Sequence, residues 1–184
     1  WLEKSVKTAD PEAREKMHNA STMAGMAFAN AFLGMSHSMA HKIGAVHHTV
    51  HGRTNAILLP YVIRYNGTRP SKTTTWPKYN YWKADEKFQD IARMLGLPHS
   101  TPEEAVEAYA KAVYDLGVAV GIKMNFKDQG IDEKTWKDSL HEIALLAYED
   151  QCSPANPRLP MVADMEEIMA DAYYGYAERP GRRK

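Results

Sequence analysis

The chain has 184 residues, enough for one domain with a sizeable core, and its 23 basic side chains balance its 23 acidic ones. This balance gives no electrostatic reason to expect nucleic acid or an anionic membrane as a partner, and no apolar run reaches the roughly 18 to 20 residues that cross a bilayer. A single cysteine, Cys152, excludes an internal disulfide and fits a reducing compartment, so we expect a cytoplasmic protein.

The first long element is predicted to be a helix that begins at Asp10 and runs to about Leu33. Asp10 has the short, oxygen-bearing side chain of an N-cap, and Pro11 and Glu12 suit the first turn. The second half of this helix, ASTMAGMAFANAFLG, is small and apolar on every side. A helix that is apolar all round is typical of a buried one, so we expect this half to lie inside the fold.

The chain beyond the next, histidine-rich segment also has the apolar spacing of helices. Start and stop signals support this interpretation, for example the capping box Thr101-Pro-Glu-Glu104. No strand is predicted, so the fold class is all-α, with residues 1–184 as one helical domain. The predicted helices cover 55–65 with Pro60 as a kink, 85–95 ended by Gly96, a segment from Thr101, a segment from near Asp132, and 161–174 ended by Gly175.

Residues 67–85, GTRPSKTTTWPKYNYWKAD, follow neither a helical nor a strand period. We predict a long ordered loop, and loops of this length are usually functional or make contacts. Its aromatic residues are apolar enough for a contact between subunits, although packing within the chain explains them as well. They are Trp76, Tyr79, Tyr81 and Trp82.

Five of the eight histidines lie within fifteen residues, at His37, His41, His47, His48 and His51. Imidazole is the commonest metal ligand in proteins and titrates near neutral pH. His37 and His41 share a helix face because they are four residues apart. His51 lies about 21 Å beyond His37 on an unbroken helix, so the helix must end between them if both are to hold one ion. Gly44 supplies a candidate end; packed or solvated histidines are the alternative interpretation.

Two known metal motifs fail to match the sequence. Ser38 follows His37 where the zinc peptidase motif H-E-x-x-H requires glutamate. Glu15-Lys-Met-His18 is an E-x-x-H, as in ferritin-like di-iron bundles, but the second copy is absent because Asp138-Ser-Leu-His141 begins with aspartate. The adjacent His47 and His48 point in different directions, so at most one faces a common site, and we assign neither a role.

The segments AGMAFANAFLGMSHSMAHKIG and HGRTNAILLPYVIRYN closely resemble the family of iron-dependent (group III) alcohol dehydrogenases. Three further stretches are similar, more narrowly, to the alcohol dehydrogenase part of bifunctional aldehyde–alcohol dehydrogenases: TTTWPKYNYWKADEKFQDIARMLGLP, FKDQGIDEKTWKDSLHEIALLAYEDQCSPANPRLP and DAYYG. The resemblance implies the C-terminal helical domain of that fold. The family's nucleotide-binding domain and its D-x-x-x-H helix have no match here, so we expect a piece of a longer polypeptide.

The resemblance also implies roles for individual residues. His37 and His51 match metal ligands, for Fe²⁺ or for Zn²⁺, since His and carboxylate ligation suits both ions. His41 matches the residue that relays a proton beside the nicotinamide, and Phe28 and Cys152 match positions that line the substrate pocket. The family often has a proline just before the second ligand; Val50 in that place leaves the approach of His51 less rigidly fixed.

The activity implied is the reduction of acetaldehyde to ethanol with NADH, and the reverse, in a homo-oligomer that forms helical filaments. Two alternatives stay open: a single-function member of the family of the propanediol, butanol or lactaldehyde type, and a non-catalytic module for filament assembly. Because two metal ligands and the nucleotide site have no match, we expect residues 1–184 alone to bind metal weakly and to turn over no substrate.

Overall fold

The computed structural model describes residues 1–70 and 82–175. Regular structure in these two ranges is entirely helical, without a strand, which confirms the all-α prediction. None of the described helices combines the length and apolarity needed to cross a lipid bilayer. The helices are α1 (Leu2–Lys7), α2 (Pro11–Ala31), α3 (Met35–His47), α4 (His51–Gly67), α5 (Ala84–Met94), α6 (Pro102–Ala119), α7 (Glu133–Tyr148), a 3-10 turn (Ser153–Ala155) and α8 (Val162–Tyr174).

Helix α4 lies at the centre of the fold. It packs against α3, α5, α6 and α8, while α7 packs against both α3 and α8. On α3, Met35, Met39 and Ile43 recur every four residues, and all three are fully buried. They share one hydrophobic core with Trp136 of α7, and burial of side chains of this size stabilises a fold by about 1.5–3 kcal/mol each. The helix that bears His37 and His41 is therefore anchored along its opposite face.

Local capping explains where several helices begin and end. The Asp132 side chain accepts a hydrogen bond from the Thr135 N–H at 2.9 Å, which confirms the predicted start of α7. Thr101 accepts from the Glu104 N–H, and the Glu104 carboxylate reaches back to the N–H of Ser100, at 3.2 and 2.7 Å. Gly175 follows α8 at a φ of 98°, a conformation that glycine adopts without strain.

The predicted burial of the second half of α2 is wrong for the described part of the chain. The helix begins and ends close to where the sequence places it, but only Ala13 is buried. Met23 and Met26 are 68% and 61% exposed, because α2 packs mainly against α1 and not against the helices around α4. Phe28 and Phe32 are about half exposed, and we call the four exposed apolar side chains on the different sides of this part of the chain, Met23, Met26, Phe28 and Phe32, together the α2 apolar face.

The helix break between His37 and His51 exists, but Gly44 does not make it. Helix α3 continues through Gly44 and ends at His48, whose φ of 54° and ψ of 35° are left-handed. Gly44 has a different use: a β-carbon there would lie 3.4 Å from the carbonyl oxygen of Thr49, so glycine lets the returning chain pass close to α3. Three residues after α3, the chain starts α4 at His51.

Two predictions concern the stretch around Pro60 and the loop after it. Helix α4 continues through Pro60, which is buried, and reaches Gly67. Gly67, Ala84 and Asp85 lie in helices and not in the predicted loop, and residues 71–81 of that loop lie outside the described residues. Trp76, Tyr79 and Tyr81 lie outside the described residues, and their contact with another subunit stays a prediction.

Candidate metal and proton-transfer site

Three imidazoles meet where α3 turns back into α4. His37 and His41 lie one turn apart on α3, and His51 is the first residue of α4. The ring centroid of His51 is 5.2 Å from that of His37 and 5.2 Å from that of His41, and the His37 and His41 centroids are 6.2 Å apart. The reversal at His48 thus brings His51 back to His37, the convergence that the sequence permitted but did not require. We call these three side chains the three-imidazole cluster.

Hydrogen bonds across the two helices hold His51. The Asn55 amide nitrogen lies 3.2 Å from Nε2 of His51 and also donates to the His51 carbonyl oxygen at 3.2 Å. The Asn55 amide oxygen accepts a hydrogen bond from Ser36 Oγ at 2.9 Å, which connects α4 to the first turn of α3. An Nε2 atom that accepts this hydrogen bond is unprotonated, as a metal ligand must be, and a metal on Nε2 would take the place of the Asn55 donor.

The electrostatic surroundings of His37 favour its neutral form. Burial lowers the pKa of His37, and the nearby His51 and His41 lower it further because adjacent positive charges repel. Metal ions bind neutral imidazole, so the donor set fits a divalent metal. His37 and His51 together would give two ligands, which is fewer than a zinc or iron site requires, so a metal there would need further ligands from elsewhere.

A second group of possible ligand atoms lies beside the cluster, but its chemistry favours hydrogen bonding. Atoms of His41, Asp150 and Cys152 lie within 4.8 Å of one another. Burial, together with the hydrogen bond to Asp150 and the charge of that carboxylate, raises the pKa of the Cys152 thiol to about 11, so it stays protonated at neutral pH. The Lys42 ammonium already forms an ion pair with the Asp150 carboxylate, with Nζ 3.0 Å from Oδ2. A cation would therefore meet a neutral thiol and a neutralised carboxylate.

Asp150 is a candidate site residue that the sequence did not indicate. Its Oδ2 atom accepts a hydrogen bond from Nδ1 of His41 at 3.2 Å, across 109 residues of sequence. The contact has no local signal, because an aspartate after a helix is ordinarily a turn residue. The one available hint was its place two residues before Cys152, in a segment that carries the family resemblance.

The remaining predicted site residues lie at different depths. Phe28 belongs to the α2 apolar face, with its ring centroid 6.4 Å from that of His37. Cys152 is only 1% exposed and lies behind Asp150. His47 contacts α7: its Nε2 is 3.0 Å from Ser139 Oγ, and its ring stacks on Trp136 at 5.2 Å. His47 and the exposed, left-handed His48 therefore have structural explanations.

The family model for the Fe-containing alcohol dehydrogenase family, C-terminal, matches residues 1–173. The chain belongs to the iron-containing alcohol dehydrogenase family. This confirms the resemblance found in the sequence, and the helical fold is the C-terminal part of that family's architecture.

Several relatives are aldehyde-alcohol dehydrogenases by name, and those of Escherichia coli are named bifunctional. The chain is 80% identical over 183 residues to the aldehyde-alcohol dehydrogenase of Streptococcus pneumoniae serotype 2 (strain D39), covering 100% of this chain and 21% of that protein. It is 39% identical over 169 residues to the bifunctional aldehyde-alcohol dehydrogenase of Escherichia coli K12, covering 90% and 19%. The chain thus spans about a fifth of the length of these relatives.

Solved structures of the iron-containing alcohol dehydrogenase family share the fold. A 1,3-propanediol oxidoreductase superposes with a TM-score of 0.78 at 32% identity, covering 94% of this chain and 41% of the other. The alcohol dehydrogenase from Oenococcus oeni gives the same TM-score of 0.78 at 31% identity, with the same coverage. The helical arrangement around the three-imidazole cluster is therefore an arrangement that the family uses.

Proposed function

We propose that this chain is the C-terminal, metal-binding part of a bifunctional aldehyde–alcohol dehydrogenase, acting in the reduction of acetaldehyde to ethanol with NADH and in the reverse reaction. The observation that carries the proposal is the three-imidazole cluster, which gives an iron-family chain two candidate ligands and a candidate proton relay in one place. The similarity to relatives named aldehyde-alcohol dehydrogenases supports the bifunctional assignment. We also propose that the enzyme is cytoplasmic and homo-oligomeric.

In this proposal His37 and His51 hold a divalent metal, Fe²⁺ or Zn²⁺. The chemistry that such a metal supplies is Lewis-acid polarisation of the substrate oxygen. The chain's own contribution is to present two neutral imidazoles from adjoining helices. The hydrogen bonds of Asn55 to Ser36 and to the His51 carbonyl oxygen restrain the backbone at the second of these, and burial disfavours protonation of the first.

His41 is the proposed proton relay. Its Nδ1 atom donates to Asp150, which leaves Nε2 as the atom that exchanges a proton with the alcohol or aldehyde oxygen. Hydride transfer to or from the substrate carbon is the chemistry that NAD(H) supplies. Phe28, an apolar side chain next to His37, and Cys152 are the proposed pocket residues for a short alkyl group. Since the Cys152 thiol stays protonated, its proposed part is in shape and not in nucleophilic chemistry.

The ligand assignment is tested by His51→Ala and His37→Ala in the longer polypeptide that contains this chain. Each variant should lose tightly bound metal, measured as metal per protein after gel filtration, and with it aldehyde reduction. The matched control is His48→Asn, which removes an exposed histidine of the same segment and keeps a residue that tolerates a left-handed backbone. Unchanged metal stoichiometry in His51→Ala would remove His51 from the ligand set.

The proposal that another part of the polypeptide completes the metal site is tested with residues 1–184 alone. Because two imidazoles are too few ligands for a catalytic metal site, this chain should bind metal weakly and oxidise no alcohol with NAD. Isothermal titration calorimetry with Zn²⁺ measures the metal affinity. The absorbance of NADH formed at saturating ethanol measures alcohol oxidation. Substantial alcohol oxidation by this chain would contradict the proposal that the site is shared with another part of the polypeptide.

A further inference from the structure

We propose that Asp150 is the positioning residue for His41: its carboxylate holds the imidazole in the tautomer with the proton on Nδ1, so that the lone pair of Nε2 faces the reaction. The assignment of a reaction to Nε2 rests on the proposed function. The positioning itself rests on contacts between α3 and the turn after α7.

Both oxygens of the Asp150 carboxylate are engaged. Oδ2 accepts from His41 Nδ1 at 3.2 Å and from Lys42 Nζ at 3.0 Å. Oδ1 accepts from the backbone N–H of Cys152 at 3.0 Å, and the side chain is 8% exposed. A carboxylate held on both oxygens in a nearly closed space cannot rotate away, so its direction toward His41 is fixed by the fold.

The acceptor character of Asp150 decides which nitrogen of His41 bears the proton. An ionised carboxylate only accepts hydrogen bonds, so Nδ1 of His41 must be the donor. Burial by itself would raise the pKa of Asp150, but the hydrogen bonds from the Cys152 N–H, Lys42 and His41 together lower it well below its usual range. Asp150 is therefore ionised at neutral pH, and the neutral imidazole keeps its lone pair on Nε2.

The neighbouring Lys42 restrains the same carboxylate from the other side. Lys42 follows His41 on α3 and is itself mostly buried, with 28% of its side chain exposed. Two donors from consecutive residues thus bind one oxygen, which fixes the turn after α7 against α3. Lys42 therefore supports His41 through the Asp150 carboxylate that both residues bind.

The first test is the ring tautomer of His41, read from ¹⁵N chemical shifts of histidine-labelled residues 1–184 at pH 8, without metal. Wild-type protein should show a protonated Nδ1 and an unprotonated Nε2 at His41. In Asp150→Asn the single amide oxygen cannot serve both the Cys152 N–H and His41, so the population should shift toward the Nε2–H tautomer. A wild-type His41 protonated on Nε2, or an unchanged tautomer in a folded Asp150→Asn variant, would overturn the proposal.

The matched control is Ser153→Ala. Ser153 is buried in the same turn and donates to the Ala147 carbonyl oxygen at 2.6 Å, but it makes no described contact with His41. This variant should destabilise the turn and leave the His41 tautomer unchanged. A shift of the tautomer in Ser153→Ala as large as in Asp150→Asn would assign the effect to the turn and not to the carboxylate.

The second test separates positioning from metal binding in the longer polypeptide. Asp150→Asn should lower kcat for aldehyde reduction by about 10- to 100-fold, the usual effect of removing the hydrogen-bond partner of a functional histidine, with KM and metal content near wild type. Parallel loss of metal would contradict a role limited to His41. Absence of alcohol dehydrogenase activity in the wild-type polypeptide would refute the proposed function, while the tautomer measurement would still decide the role of Asp150.

Discussion

His47 shows how a histidine beside a functional cluster can be structural. Its imidazole lies between Trp136 and Ser139 at the end of α3. The Ser139 hydroxyl hydrogen is directed to the Thr135 carbonyl oxygen at 2.9 Å, so the hydroxyl oxygen accepts from the N–H of His47. Burial, and then the neighbouring His48, lower the pKa of His47 from its ordinary value of 6.5.

The lowered pKa of His47 predicts an acid-sensitive fold. The unfolded chain binds a proton at His47 more readily than the folded chain does. The contribution of His47 to the free energy of unfolding should therefore be fully present above pH 6.5 and should decrease as the pH falls below this value. His37, whose pKa is lowered in the same direction, adds to the loss. Urea unfolding at pH 7.5 and 5.5 measures the difference.

The matched variant for this effect is His47→Gln, which keeps an amide donor for Ser139 and does not titrate. It should reduce the loss of stability between the two pH values without abolishing it, because His37 remains. An equal loss in His47→Gln and wild-type protein would show that His47 is not one of the groups responsible.

At the residue scale, the sequence pointed to candidate site residues but not to the tertiary contacts that these residues make. The spacing of His37 and His51 defined the condition for convergence, a break in the helix. It could not locate the break, because His48 adopts a left-handed conformation that histidine only occasionally takes, whereas Gly44 had the usual signal. Asp150 was out of reach for another reason: its partner His41 is remote in sequence, and tertiary contacts leave no local pattern.

At the element scale, the start of α3 depends on the loop that follows α7. The Asn156 side-chain oxygen accepts hydrogen bonds from the N–H of Met35 and from the amide of Asn66, both at 3.3 Å. Asn156 is 1% exposed, and Gly34 lies directly against it. This contact fixes the position of Met35, the first residue of α3, and therefore the positions of His37 and His41 on the same helix.

Gly34→Ala should consequently destabilise the protein. A β-carbon at Gly34 would lie 2.8 Å from the Asn156 oxygen, which is held by two donors and cannot retreat. Overpacking of this kind costs about 1–3 kcal/mol of unfolding free energy, measurable by urea titration.

The control for this prediction is Gly25→Ala in α2. A β-carbon at Gly25 meets no atom within 4 Å, and alanine is the better helix former, so this variant should gain about 0.5–1 kcal/mol. Opposite signs for the two variants are the expected outcome. A loss in Gly25→Ala as large as in Gly34→Ala would point to a general intolerance of alanine and refute the specific clash.

The starts of α2, α6 and α7 were predictable because an N-cap depends on neighbouring residues in sequence. The N-caps Asp10, Thr101 and Asp132 all accept the expected backbone hydrogen bond. Burial was not predictable in the same way. The composition of α2 indicates a helix that requires an apolar neighbour, but it does not indicate whether the residues described here supply that neighbour.

At the scale of the whole molecule, the α2 apolar face is the largest departure from what the sequence led us to expect. Large apolar side chains that are exposed to water promote association. Residues 1–184 should therefore self-associate with rising concentration, as measured by sedimentation velocity. Met26→Lys, which places a charge on this face, should reduce the association.

Met94→Lys is the control for this prediction. Met94 is 78% exposed at the end of α5, away from the α2 apolar face in the sequence and in the helix order. Its substitution should leave the sedimentation profile unchanged. Equal effects of the two lysines would indicate that added charge, and not loss of the α2 apolar face, governs the association.

The short link between α3 and α4 has a consequence for how this protein tolerates change. Three residues join His47 to His51, and three extended residues span about 10 Å, barely two helical turns. Extra glycines there would add little to the entropy cost of closing the turn, but they would let the His51 imidazole move away from those of His37 and His41. The tightest constraint on insertions thus falls on a surface turn, a place where proteins are ordinarily most permissive.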